Sequence, residues 1–355
     1  MHSPDPIAAS VPAPTPSSPR DRDNRFYTLV AGGAKTRLLE QFLDLGIPEL
    51  LGAAGPQPAT EICTRLGIDL TRGWKFLHLL ALCGLLVERG AERGGDDAVY
   101  ALSPEAVEYF GPRGDEGWFF RDVVNYWRNV AVLPMGDVLK GLPLPEAVRW
   151  PPPGPEAAEH LETWMRVTAE GAIRSLERSD AMAGARRLLD VGGGDGTIGC
   201  ALAKRHPGLD VTVFNLPASA AIAQRTIGFH GLADRVRTHA GDFLADEFPG
   251  GFDRVLFSRV LTDWAPDVCA MLMEKSRRAL APRGRLVINE ALVDGNLDYA
   301  IAWEFRYVFY DTFGRAVFKP LDVYRRLLAD AGFVVVHVTP MSDESFYSVI
   351  EAAPA

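Results

Sequence analysis

Residues 187–199 read Arg187-Leu188-Leu189-Asp190-Val191-Gly192-Gly193-Gly194-Asp195-Gly196-Thr197-Ile198-Gly199. Leu188 to Val191 is a short apolar run of strand length, and Thr197-Ile198-Gly199 opens a helical pattern. The glycines between them suit a tight turn with positive φ and a backbone that a ligand approaches closely. Strand, glycine turn and helix in that order make the ligand-binding corner of an open α/β sheet.

Two ligands compete for this corner. Gly194, Gly196 and Gly199 spell G-x-G-x-x-G, the dinucleotide fingerprint, which keeps a nicotinamide-dependent oxidoreductase open. In that case, however, the first glycine follows the strand directly and a pyrophosphate meets the helix N-terminus. Here the matching register starts late, and Asp190 stands at the strand end. A carboxylate there repels a diphosphate and suits an ammonium or sulfonium, and S-adenosylmethionine carries both. Asp190 bonded to local backbone is the competing assignment.

Downstream, short apolar runs alternate with helical segments: Val211–Phe214, Val236–His239, Arg254–Phe257, Leu286–Ile288, Val334–Thr339 and Tyr347–Ile350. Such alternation predicts a doubly wound, mainly parallel Rossmann-like sheet over 184–355, with ligands at the carboxyl ends of its strands.

Upstream, the spacing predicts helices over Ala34–Leu45, Ala59–Leu66 and Thr71–Leu86, then a strand at Val99–Leu102 after the turn-rich Gly90–Asp97. That order is a winged-helix pattern over 21–105. The third helix offers Arg72, Lys75 and His78 and then turns apolar, a poor surface for reading base edges. With 37 Lys and Arg against 46 Asp and Glu, the net charge of -9 also disfavours a polyanionic partner. The domain is therefore expected to dimerise, making the protein a homodimer that binds no nucleic acid. Residues 106–183 continue helical as a linker and substrate-lining region. Its aromatic group, Trp118, Phe119, Phe120, Tyr126 and Trp127, lines a pocket or packs between domains, and a proline-rich break follows at Pro151–Pro155.

The first 20 residues, rich in Pro, Ser and Ala, read as a disordered tail and not as a secretory signal. The longest apolar run, Phe76–Val87, is too short to cross a membrane. The four cysteines, Cys63, Cys83, Cys200 and Cys269, have neither disulfide nor zinc spacing. No metal is expected, and the cytoplasm is the expected location.

The segments Asp190–Gly196, Asn215-Leu216-Pro217, Gly241-Asp242-Phe243, Ser258–Trp264, Pro282–Leu286 and Ala331-Gly332-Phe333 resemble, in order and spacing, the plant-type two-domain O-methyltransferases, including their bacterial natural-product branch. The resemblance runs from about Gln41 to the C-terminus. It implies a class I methyltransferase fold with an N-terminal, mainly helical winged-helix dimerisation domain, and S-adenosyl-L-methionine as cofactor. Carried over by position, Gly192 and Gly194 pack against the methionine portion near Asp190. Asn215, with Leu216, faces the ribose; Asp242 and Phe243 face the adenine; Ser258, Arg259 and Trp264 close the far side. An aromatic ring suits a flat base, and a carboxylate accepts from its amino group. Ordinary core packing is the competing assignment for Phe243, and a domain interface for Trp264.

Two departures bear on chemistry. Asn215 stands where the family usually has an acid. Thr262 stands where the family has the histidine that takes the acceptor's proton, and a threonine hydroxyl is no base near neutral pH. Of the supporting acids, Glu290 remains, expected to orient substrate or to act as base itself, while the other position falls near Phe318. Relatives without the histidine include the bacteriochlorophyll C-20 methyltransferase. Three outcomes stay open: O-methylation by proximity on an acidic hydroxyl, C-methylation of an electron-rich ring, and non-methylating chemistry. The resemblance places Tyr299–Lys319 over the acceptor, with Trp303, Arg306, Tyr307, Phe309, Tyr310 and Phe313, and Met165, as substrate-lining residues. They would suit a small aromatic molecule. Arg306, Arg315 or Lys319 could pair with an acceptor carboxylate, or sit on the surface as solvated cations.

Overall fold

The computed structural model describes residues 18–90, 98–111, 115–141, 154–295, 297–309 and 318–355. They form two compact units, divided between Leu133 and Pro134.

In the first unit α1 (Pro19–Asp44) and α2 (Ile47–Ala54) precede a short β1 (Gln57–Pro58). Then come α3 (Ala59–Leu66), α4 (Leu70–Leu82), the antiparallel pair β2 (Leu86–Arg89) and β3 (Val99–Leu102), α5 (Pro104–Phe110) and α6 (Asp115–Ala131). The caps are local and legible. Asp69 accepts from the Arg72 N–H at the start of α4, and Ser103 from the Ala106 N–H at the start of α5. Phe42, Ile47, Ile62, Leu77, Leu80 and Tyr100 meet in one core.

Three boundaries differ from the sequence reading. The first helix begins at Pro19, inside the expected tail and well before Ala34. Phe26, Tyr27, Leu29 and Val30 of that early stretch are exposed, so no buried stripe announces it. The third helix stops at Leu82, because Gly84 turns the chain at positive φ and releases Leu86 into β2. Finally, α5 and α6 belong to the first unit. There Phe119 and Phe120 pack with Phe110 and Tyr109 in an aromatic cluster.

The second unit opens with α7 (Met135–Val138), α8 (Pro155–Val167) and α9 (Ala169–Ser179). There follow β4 (Arg187–Val191), α10 (Thr197–Arg205), β5 (Asp210–Asn215), α11 (Pro217–Phe229), β6 (Val236–Ala240) and β7 (Phe252–Ser258). The chain finishes through α12 (Pro266–Ala279), β8 (Leu280–Ala291), α13 (Leu297–Glu304), α14 (Leu321–Asp330), β9 (Phe333–Thr339) and β10 (Tyr347–Pro354). The seven strands form one sheet in the order β6-β5-β4-β7-β8-β10-β9, parallel except for β10, which is antiparallel to both neighbours.

Because side chains alternate along a strand, one sheet buries two cores. Leu188, Val211, Val213 and Leu256 pack on one face with Leu176 of α9, Ile198 of α10 and Ala223 of α11. Leu189, Val191, Val255 and Phe257 pack on the other with Leu272 of α12 and Leu328 of α14. Such a sheet brings the carboxyl ends of β4, β5 and β7 side by side, where strand order reverses around β4. Among the described residues no helix is long and apolar enough to cross a membrane.

Candidate active site

The glycine loop lies between β4 and α10. Gly192, Gly194 and Gly196 all have positive φ, and Gly196 is the left-handed cap from which α10 starts. Gly193 is needed for closeness: a Cβ there would stand 2.5 Å from Asp190 Oδ2. Met165, Asp190, Gly192, Gly194, Asp195, Ser258 and Arg259 border a pocket with about 370 Å³ of empty space, open to solvent.

Asp190 is fully buried beneath this loop, and neither carboxylate oxygen has a hydrogen-bond partner. Local backbone bonding is thereby set aside. Burial pushes its pKa up to about 7, against the nearby Arg259 charge that lowers it. An orphaned carboxylate at the floor of a pocket is a costly arrangement that a cationic ligand relieves.

Asn215, at the end of β5, turns to its own loop. Its Nδ2 donates to the Gly194 carbonyl at 3.2 Å and its Oδ1 accepts from the Leu216 N–H at 2.8 Å. One role of this amide is to hold the glycine loop. Asp242 accepts from the Leu244 N–H through one oxygen. Phe243 and Trp264 are both nearly buried and meet edge to face at 5.5 Å. A Cβ on Gly192 would reach Phe243 at 3.7 Å and Val260 at 2.9 Å, so the ring borders the glycine loop while also belonging to the core. Ser258 accepts from Asn289, itself fully buried and bonded to Ser175 and Ala172.

Arg259 has a left-handed backbone, φ 61°. Its guanidinium donates to the Met165 carbonyl at 2.6 Å and to Thr168 Oγ1 at 2.7 Å, while Nε is left without a partner. It thus ties the α8–α9 junction to the end of β7. Met165, expected at the acceptor, lines the glycine-loop pocket.

The turn at 260–262 is held from two sides. Glu290, 1% exposed, accepts through Oε1 from the N–H groups of Val260 and Leu261, both at 2.7 Å, and through Oε2 from the Thr262 hydroxyl at 2.7 Å. Burial raises its pKa to about 7, opposed by those three donors. In this structure the three hydrogen bonds that Glu290 accepts all come from the turn. Thr262 is 6% exposed. From the other side Lys319, 2% exposed, donates to the carbonyls of Leu261 at 2.8 Å and Thr262 at 3.4 Å. Lys319 is therefore neither a surface cation nor placed for an acceptor carboxylate.

Of the expected acceptor-lining residues, Trp303 packs edge to face with Trp164 at 6.3 Å, Tyr307 donates its hydroxyl to Asp263, and buried Phe309 meets Phe305 at 5.4 Å. Tyr310, Phe313, Arg315 and the Arg306 side chain lie outside the described residues. The cysteines are free thiols, three of them buried.

One residue escaped the sequence reading. Glu162 on α8 is 3% exposed, and its Oε2 has no partner. A Cβ on Gly194 would stand 2.8 Å from that oxygen. Its signal was available: Ala158, Glu162 and Met165 recur at helical spacing, putting an acid on the buried face.

The donor set fits S-adenosylmethionine. The orphaned acids at the glycine loop suit its cationic groups, while Asn215, Asp242, Phe243 and Trp264 are not among the residues that border the pocket.

Comparison with known proteins agrees. Residues 158–334 match the O-methyltransferase domain family. A 3-hydroxy-5-methyl-1-naphthoate 3-O-methyltransferase of Streptomyces sahachiroi is 34% identical over 270 residues, covering 75% of this chain and 76% of that one. A bacteriochlorophyllide d C-20 methyltransferase of Chlorobaculum tepidum is 33% identical over 156 residues, 43% of this chain and 46% of that one. In structure, the S-adenosylmethionine-dependent methyltransferase SibL superposes with a TM-score of 0.72 at 26% identity, over 93% of this chain and 98% of that one. The glycine loop, the buried acids around it and these likenesses converge: the chain belongs to the O-methyltransferase domain family and is an S-adenosylmethionine-dependent methyltransferase.

Proposed function

We propose that the protein methylates a hydroxyl of a small, planar aromatic acceptor of natural-product metabolism, with no protein general base at the position of Thr262. The observation that carries this is the Thr262–Glu290 hydrogen bond. A hydroxyl cannot take a proton near neutral pH, and the carboxylate behind it is engaged by three donors. The cofactor supplies an electrophilic methyl group. The chain's share is then to bind, align and exclude water, which suffices for a hydroxyl acidic enough to ionise by itself. The naphthoate 3-O-methyltransferase relative supports an acceptor of that kind.

The test uses S-adenosylmethionine labelled at the methyl carbon and a series of hydroxynaphthoates and phenols of graded acidity. The pH at which the rate is half-maximal should move with the acceptor's own pKa. A midpoint that stays constant across the series would assign the proton to a protein group instead.

Carbon methylation is the second reading, favoured by the same missing base and by the C-20 relative. The chemical shift of the transferred methyl carbon separates the two.

The first unit serves, in the same proposal, as a winged-helix-like module for homodimerisation. Exposed Leu79 and Leu82 on α4, with Phe26, Leu29 and Val30 on α1, support it. Light scattering giving a monomer mass at micromolar concentration would refute it. Free thiols suit the cytoplasm.

A further inference from the structure

We infer that Glu162 is the anionic partner of the ammonium on the cofactor's amino-acid portion, an assignment that rests on S-adenosylmethionine as the cofactor. Glu162 projects from α8 one turn before Met165, and Met165 and Gly194 both border the pocket. Its unpartnered Oε2 abuts Gly194, where the absent Cβ leaves the space a ligand group needs.

The surroundings favour a cation. Ser219's hydroxyl and the Asp195 backbone N–H support the carboxylate, while the Asp195 carboxylate faces it with like charge. Asp195 is bonded through Oδ1 to the Thr197 N–H, while its buried Oδ2 accepts no hydrogen bond and has only an ion pair with Arg166 at 3.6 Å. The Arg259 guanidinium acts on Glu162 only at a distance: its two terminal nitrogens bond Thr168 and Met165, and its buried Nε bonds nothing. Burial holds the Glu162 pKa up at about 7, well above the usual carboxylate range, which favours the protonated form until a cation arrives. A bound ammonium would draw the proton off and form a charge-assisted hydrogen bond. Asp190, whose two oxygens are also without a partner, lies under Gly193 and Gly199 on the strand side of the loop, so it and Glu162 approach the pocket from different elements.

Titration calorimetry on the full chain tests the assignment with two probes, S-adenosylhomocysteine, which carries the ammonium, and 5′-methylthioadenosine, which lacks the amino-acid portion. Glu162→Gln should weaken S-adenosylhomocysteine by about tenfold or more and shift 5′-methylthioadenosine by less than about twofold. In buffers of different ionisation enthalpy, the wild type should release more protons near pH 7 on binding S-adenosylhomocysteine than Glu162→Gln does. Glu162→Asp, which shortens the reach but keeps the charge, should show the same split between probes and serves if the amide variant does not fold. Equal weakening of both probes would overturn the assignment in favour of loop packing. A split seen in Asp190→Asn but not in Glu162→Gln would overturn it by giving the ammonium to Asp190. Failure of the wild type to bind either probe would instead refute the cofactor itself.

Discussion

Replacing Glu290 separates a proton acceptor from an anchor. In Glu290→Ala the N–H groups of Val260 and Leu261 and the Thr262 hydroxyl lose their acceptor together. A buried polar group without a partner costs about 1–3 kcal/mol, and partial relaxation of one short turn brings the sum to roughly 3–5 kcal/mol. Glu290→Gln keeps one carbonyl oxygen for the two N–H groups and offers Nε2 to a reoriented Thr262 hydroxyl. It also removes the desolvation of a buried carboxylate, so a loss of only about 1 kcal/mol is expected. Thr262→Ala deletes one bond and should cost about 1–2 kcal/mol. Urea unfolding of the three variants measures these differences, and kcat on any accepted phenol measures the chemistry. The expected result is that Glu290→Gln and Thr262→Ala each retain at least about a tenth of kcat, while Glu290→Ala loses stability and activity together. A Glu290→Gln protein with wild-type stability and a thousandfold lower kcat would refute the reasoning and make Glu290 the base.

Lys319→Met should destabilise the protein by about 2–4 kcal/mol, since two carbonyls of the same turn lose their buried donor; chemical denaturation measures it, and an unchanged midpoint would count against the clamp. Gly193→Ala drives a methyl to within 2.5 Å of Asp190 Oδ2 and 3.0 Å of Val213 Cγ1, so S-adenosylhomocysteine affinity should fall by about tenfold or more in calorimetry. Stability should also depend on pH. Asp190, Glu162 and Glu290 have folded pKa values near 7, above their unfolded values, so the folded state holds more protons between about pH 4.5 and 7. Their contribution is present at the acid end and is lost as pH rises through 7, at up to roughly 1.4 kcal/mol per pH unit for each group. The unliganded protein should therefore melt at higher temperature near pH 6 than near pH 8, and saturating S-adenosylhomocysteine should flatten the difference. A Tm that rises over the same interval would contradict the desolvated state of these buried acids.

Much of the second unit was legible from the chain. The inner strands of its sheet, such as β4, β5 and β7, were legible as apolar runs, because a strand buried on both faces must be apolar throughout, whereas the edge strands β6 and β9 are half exposed and carry polar residues. The glycine loop was legible because only glycine tolerates its dihedrals and its approach to Asp190. The start of α1 was not, since its residues bury no stripe, and the division after Leu133 was not, since α5 and α6 show helical periodicity whichever unit they pack on.

The same divide runs through the site. Local sequence determined that a strand meets a glycine turn and a helix, that an acid stands at the strand end, and that position 262 carries no imidazole. Only the tertiary structure decided what each polar group bonds. Glu290 spans 28 to 30 residues to reach the turn and Lys319 spans 57 to 58. Asn215 turns to Gly194, Arg259 to the α8–α9 junction, and Glu162 comes in from another helix beneath the loop. Periodicity is a property of neighbours along the chain, whereas a buried donor or acceptor takes whichever partner the packing of distant elements leaves within about 3 Å.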